Sequence, residues 1–153
     1  MPAFGESLKP YYPGLLPAEA NVWRAWLRSH EGEFDAFRYN VHVGPGVTIP
    51  REILTRGDAL EAAYAEQYRK ATQFKIDVIG LRGNDWWIIE VEDRVNPTAI
   101  GQLQTYQVLL PQTVQGVGPT ELAVVARTAQ PGMLDVADEA GVIVFLVDVP
   151  PID

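Results

Sequence analysis

The chain has no cysteine, two histidines (His30 and His42) and two serines (Ser7 and Ser29) among its 153 residues. Without cysteine there are no disulfide staples, no thiolate nucleophile and no cysteine zinc site. Two histidines are too few for a His-rich metal cage, and two serines leave little room for serine–histidine–aspartate chemistry. Positive charge is also scarce: 12 Lys and Arg stand against 20 Asp and Glu, a net charge of −8. The deficit is local, since residues 1–76 balance while residues 77–153 carry all of it. Proteins that grip nucleic acid by its phosphates usually show a basic stripe, and none is visible here. Long apolar runs are absent too. The longest, Val142 to Val147, is far short of the roughly 20 residues that cross a bilayer, so no membrane association is expected. The start, MPAFGESLKP, lacks an apolar stretch behind a basic one, which predicts a cytoplasmic or virion-associated protein rather than one exported by a signal peptide.

What remains is the composition of one globular domain, 47% hydrophobic and 21% charged. Residues 1–17, with Pro2, Pro10, Pro13, Pro17, Tyr11 and Tyr12, read as an extended Pro/Tyr-rich arm. Residues 18–153 read as a single domain. Its first helix is predicted over Ala18–His30, with Val22/Trp26 and Trp23/Leu27 at i,i+4 spacing facing a core. Tyr39, Val41 and Val43 alternate with polar residues as a half-buried strand, ended by Gly44-Pro45-Gly46. A second helix spans Ala59–Thr72, opened by Asp58 and Glu61 in capping-box spacing, with Leu60, Tyr64, Tyr68 and Ala71 at helical period. Strands Phe74–Leu81 and Trp86–Glu92 form a hairpin, and Asn96-Pro97 opens a third helix running to about Leu110, before Pro111. Strand Glu121–Arg127, a short helix near Pro131–Ala140 and a final apolar strand, Val142–Val149, follow. The apolarity of that last strand predicts cover on both faces.

The hairpin carries the chemistry. Gly83-Asn84 favours a two-residue loop, and facing residues then have numbers that sum to 167. Asp77 lies opposite Glu90 and Lys75 opposite Glu92. On the other face the same register sets Val78 against Ile89 and Ile76 against Val91, so the apolar pattern agrees. Facing Cβ atoms lie about 4.5–5.5 Å apart, and two carboxylates so placed repel each other. A shared proton, a chelated cation or the neighbouring Lys75 could each neutralise them; an oxygen-only donor set suits Mg²⁺, Mn²⁺ or Ca²⁺. Solvated charges at a strand end are the plain alternative.

An acid on one strand (Ile76-Asp77), a following strand Ile88-Ile89-Glu90-Val91-Glu92, and a helix with Gln102 and Tyr106 four residues apart resemble the PD-(D/E)xK nuclease-like family, in its RecB-like branch with a QxxxY helix. The resemblance implies an α/β fold with a restriction-endonuclease-like core: a mixed central sheet flanked by helices in the order α-β-α-β-β-α-β-α-β. It implies that Asp77 and Glu90 hold Mg²⁺ or Mn²⁺ where the site is functional, and that Gln102 and Tyr106 approach the carboxylates or a DNA phosphate. The family's lysine, two residues after the glutamate, is here Glu92. Lys75 could supply the missing ammonium, or form an ordinary ion pair with Glu92, and Glu19, Glu31 or Glu33 could add a further carboxylate. The expectation is a degenerate, phage-type member of the family, serving as an oligomeric head-completion or neck component beside DNA. The rival is an active Mg²⁺-dependent DNA nuclease working at Asp77 and Glu90.

Overall fold

A computed structural model describes residues 8–150. Elements follow the order α1 (Pro17–Ser29), β1 (Ala36–Val43), α2 (Ala59–Ala71), β2 (Phe74–Arg82), β3 (Asp85–Val95), α3 (Pro97–Thr113), β4 (Thr120–Ala129), α4 (Met133–Glu139) and β5 (Val142–Leu146), with one 3₁₀ turn at Arg51–Ile53. The five strands form one mixed sheet in the order β1-β2-β3-β4-β5. β1, β2 and β3 are antiparallel neighbours, whereas β3, β4 and β5 run parallel through the helical crossovers α3 and α4. This is the mixed α/β class and the element order expected from sequence.

Each face of the sheet is buried under its own helices. On one side α1 brings Val22, Trp23, Trp26 and Leu27 onto Val78, Ile89, Val91, Ala123 and Val125. On the other, α3 brings Ala99, Ile100, Leu103, Tyr106 and Leu110 onto Ile79, Ile88, Leu122 and Val124. Trp86 and Trp87, adjacent on β3, go to opposite sides, as strand geometry requires. The expected arm falls partly on residues 1–7, outside the described residues. Its described portion is anchored: Tyr12 is fully buried against Tyr39, with ring centroids 5.2 Å apart, and its hydroxyl accepts the Lys9 N–H at 2.9 Å.

Several expectations are corrected. α3 does not stop before Pro111 but runs through it to Thr113. Pro111 cannot donate to the Gln107 carbonyl, but it lies near the end of the helix, and the ladder resumes with the Val114 N–H on the Leu110 carbonyl at 2.9 Å. β5 is covered only in part: Val142 and Val144 pack on the α3 side and Phe145 on the α1 side, but it is the outermost strand, with Ile143 and Leu146 exposed, and it ends at Leu146. α2 forms where its cap and helical spacing predict it; its stripe Leu60, Tyr64, Tyr68 is exposed, and no residue of that helix is buried.

The hairpin register is the expected one, with Arg82 opposite Asp85, Gly80 opposite Trp87 and Val78 opposite Ile89. Gly83 takes the positive φ (58°) that such a tight loop requires. Beyond Val78 the pattern changes. Tyr39 and Val78, paired across β1 and β2, face α1; the next pair on the same side by strand period, Val41 and Ile76, faces α3. Between them lie Asn40, whose φ of 52° is left-handed, and Asp77. The strands therefore turn over at this level. Ile76 and Val91, expected on one face, end up on opposite faces.

Candidate functional site: a buried acid cluster at the strand reversal

Because β2 rolls at Asp77, that side chain turns toward β3 rather than standing off a face. Its Oδ2 accepts the Val91 N–H at 3.0 Å, replacing a ladder hydrogen bond. Glu90, next along β3, is 3% exposed, the one buried charged residue of the described core. It sits in the parallel pair with Val124 on the α3 side. The two carboxyl groups are within hydrogen-bonding reach of each other. Glu92, two residues on, is half-buried and paired in register with Ala126.

The electrostatics of this cluster are one-sided. Burial first, and then the charges of Asp77 and Glu92, raise the Glu90 carboxyl far above the usual carboxylate range. Burial also raises Asp77, with Glu19 adding to the effect, while the Val91 N–H opposes it. Glu92 is pushed up to about 7 by burial, then by Asp77 and Glu19. Tyr106, on α3, has its phenol raised by burial and by the field of all three acids, Glu90 foremost. Without a cation, then, the Asp77–Glu90 pair holds a proton at neutral pH, because two close carboxylates in a low-dielectric setting cannot both ionise.

The sequence-predicted residues divide cleanly. Asp77, Glu90, Glu92 and Tyr106 share one electrostatic neighbourhood. Gln102 lies one turn before Tyr106, with its side-chain oxygen buried and lacking a donor. Lys75 is not brought in. It is exposed, pairs with His42 on β1, and its Nζ donates to the Ala71 carbonyl at 3.2 Å. Among the described residues, no ion pair joins it to Glu92. The reversal at Asp77 ends the simple β2–β3 ladder before that level. Of the three candidate N-terminal glutamates, Glu19 is the one whose charge reaches the cluster. Its carboxylate also accepts the Leu16 N–H at 2.9 Å and so caps α1. Only its place in the first turn of α1 was legible in sequence.

The donor set is entirely oxygen. Glu90 Oε1 is buried without a hydrogen-bond partner, as is Gln102 Oε1. Acceptors left bare inside a protein suit a cation or a proton. No three His, Asp or Glu side chains among the described residues form a complete metal cage. Mg²⁺ does not need one: it commonly takes one or two carboxylates and keeps its waters. Asp77 and Glu90, with Glu92 beside them, fit that requirement. Comparison with family models, curated proteins and solved structures found no match.

Proposed function

We propose that this chain is a PD-(D/E)xK nuclease-like protein of phage type with a degenerate active site, acting as a structural or assembly component beside DNA. One observation carries the reading. Position 92, where the resemblance calls for lysine, holds a carboxylate whose charged neighbours are other acids, Asp77 and Glu19, and the only lysine on the hairpin bonds elsewhere. Phosphodiester hydrolysis needs positive charge to meet the charge that develops on the transferred phosphoryl group. Here the negative charge of the chain is instead concentrated in residues 77–153, which contain the cluster, and that opposes a DNA backbone.

The alternative is an active Mg²⁺-dependent deoxyribonuclease. It is favoured by the convergence of Asp77, Glu90 and Tyr106 and by the bare oxygen of Glu90. In that reading Asp77 and Glu90 hold the ion, which supplies Lewis acidity and an activated water, and Glu92 receives or positions a proton. Incubation of the full chain with linear and circular DNA in Mg²⁺ or Mn²⁺ separates the two. Intact DNA is expected. Cleavage that disappears in Asp77→Ala would overturn the assembly reading in favour of the enzyme.

A further inference from the structure

The two edges of the sheet are finished differently. β1 carries Arg38, Asn40 and His42 along its length, and its pleat breaks at the left-handed Asn40 (φ 52°). Arg38 Nη1 folds back on the Phe37 carbonyl at 3.2 Å, and His42 Nδ1 meets the Lys70 carbonyl at 3.2 Å. Charge and an interrupted pleat are common means of keeping an edge strand from pairing. β5 has neither. Every residue of Val142–Leu146 is apolar, none is charged and none is proline. Nor does a bulge interrupt it, since it pairs with β4 in unbroken register from Val142–Leu122 to Leu146–Ala126. The Val147 N–H donates to the Ala126 carbonyl at 2.9 Å, so by strand alternation the odd-numbered residues turn their backbone groups to β4. The N–H and C=O groups of Val142, Val144 and Leu146 therefore point away from the sheet, and among the described residues no strand meets them. Water can bond those groups but leaves Ile143 (37% exposed) and Leu146 (50%) wet. A further strand satisfies both.

We propose that β5 pairs antiparallel with β5 of a second copy of this chain, joining the two sheets into one continuous sheet across a two-fold axis at Val144. The backbone selects both the occupant and the register. A strand laid antiparallel on its own copy is self-complementary in its hydrogen bonds whatever its side chains, as a closed two-fold contact requires. Outward-facing residues must meet in pairs that exchange both N–H···O bonds. With the axis at Val144, Val142 meets Leu146 of the second copy, Val144 meets Val144, and Leu146 meets Val142, so every outward residue is satisfied. Moving the axis by one residue to either side leaves one of them unpaired. The side chains agree with that register. Exposed Leu146 lands beside Val142, at a groove lined by Leu134 (50% exposed), Gly141, Val142 and Val144. Exposed Ile143 lands opposite Phe145 on the α1 side, an aromatic–β-branched pair of the kind that stabilises facing strands. Pairing β5 with β1 of another copy would instead build an open chain of sheets, and the charged, broken edge of β1 opposes it. The inference does not rest on the nuclease resemblance.

The test uses the full chain. Light scattering over a concentration series is expected to give twice the 16.9 kDa of one chain. Ile143→Lys places a charge on the edge at an exposed position, and Val144→Pro removes the outward N–H at the axis while leaving the bonds to β4. Each is expected to return a single copy with unchanged circular dichroism, whereas Val108→Lys, exposed on α3, should leave the dimer intact. Residue-resolved amide exchange reads the pairing directly. In the dimer the Val142, Val144 and Leu146 amides should be protected. In Ile143→Lys they should exchange freely while the Phe145 amide, turned to β4, stays protected. A single-copy mass at every concentration would overturn the proposal. So would a dimer unchanged by Ile143→Lys and Val144→Pro, or a Val144 amide that exchanges as fast in the parent as in Ile143→Lys. A series of ever larger species would also overturn it, marking open association in place of a closed pair.

Discussion

Replacing Glu92 by glutamine removes a charge while keeping the shape of the side chain, so its effect isolates the electrostatics of the acid cluster. In the folded chain this carboxyl is pushed up to about 7 from the 4.5 of a free glutamate, by burial and then by Asp77 and Glu19. The folded state therefore binds the proton more tightly than the unfolded state. The sign follows: below about pH 4.5 the carboxyl is neutral in both states and costs nothing. Between pH 4.5 and about 7 stability falls as pH rises, and above that the full penalty persists. At about 1.4 kcal/mol per pH unit the upper bound is about 3.5 kcal/mol. The side chain is only half withdrawn from water, and solvent screening reduces this to about 1–2 kcal/mol. Glu92→Gln should thus match the wild-type chain near pH 4.5 and exceed it at pH 8 by that amount, roughly 2–8 °C in Tm for a domain of this size. Denaturant or thermal unfolding in EDTA at the two pH values provides the assay. Parallel curves with no pH-dependent gap would show that Glu92 is solvated and that the cluster does not act as one electrostatic unit.

Two further expectations follow from single contacts. Asp77→Ala strands the Val91 N–H inside the sheet, a loss of about 1–3 kcal/mol, partly offset by relief of the repulsion with Glu90. Asp77→Asn retains an acceptor for that N–H while removing the charge, so it should be the more stable variant at pH 8 by chemical denaturation; equal stabilities would show that the 3.0 Å contact carries nothing. Tyr12→Ala should cost about 3–5 kcal/mol, because the ring is fully buried against Tyr39 in the α1-side core. A urea midpoint close to that of the parent would show that the segment before α1 is dispensable for the fold.

Much of the architecture was legible because local chemistry and periodicity coincide. Pro97 after Asn96 starts α3, and the Asn96 side chain accepts the Ala99 N–H at 2.9 Å. Gly83-Asn84 sets the hairpin register, and the i,i+4 pairs of α1 do face the core. Periodicity misled where neighbours decide the outcome. The apolar run at Val142 resembles an interior strand, but only the sheet order shows that nothing pairs with its outer edge. The stripe Leu60, Tyr64, Tyr68 of α2 has the period of a core-facing helix, yet it is exposed, and the half-buried side of that helix is Glu61, Ala65 and Arg69.

The candidate site divides along the same line. The turn chemistry sufficed to set the register from Arg82–Asp85 to Val78–Ile89 and to put Glu90 and Glu92 two residues apart on one strand, but the ladder stops before Asp77 and Glu90, and Asp77 takes the Val91 N–H instead. The tertiary structure decided which of their neighbours belong. At the level of the left-handed Asn40 both strands turn over: Ile76 goes to the α3 face, Asp77 turns sideways onto the Val91 N–H, and Lys75 bonds the end of α2. Strict strand alternation assumes every residue stays in the pleat, and a residue at positive φ, which the letters Arg-Tyr-Asn-Val do not announce, lies outside it. The depth of the acids is also a property of packing: helices laid on both faces withdraw water from Glu90, and that withdrawal turns a pair of ordinary carboxylates into one that holds a proton.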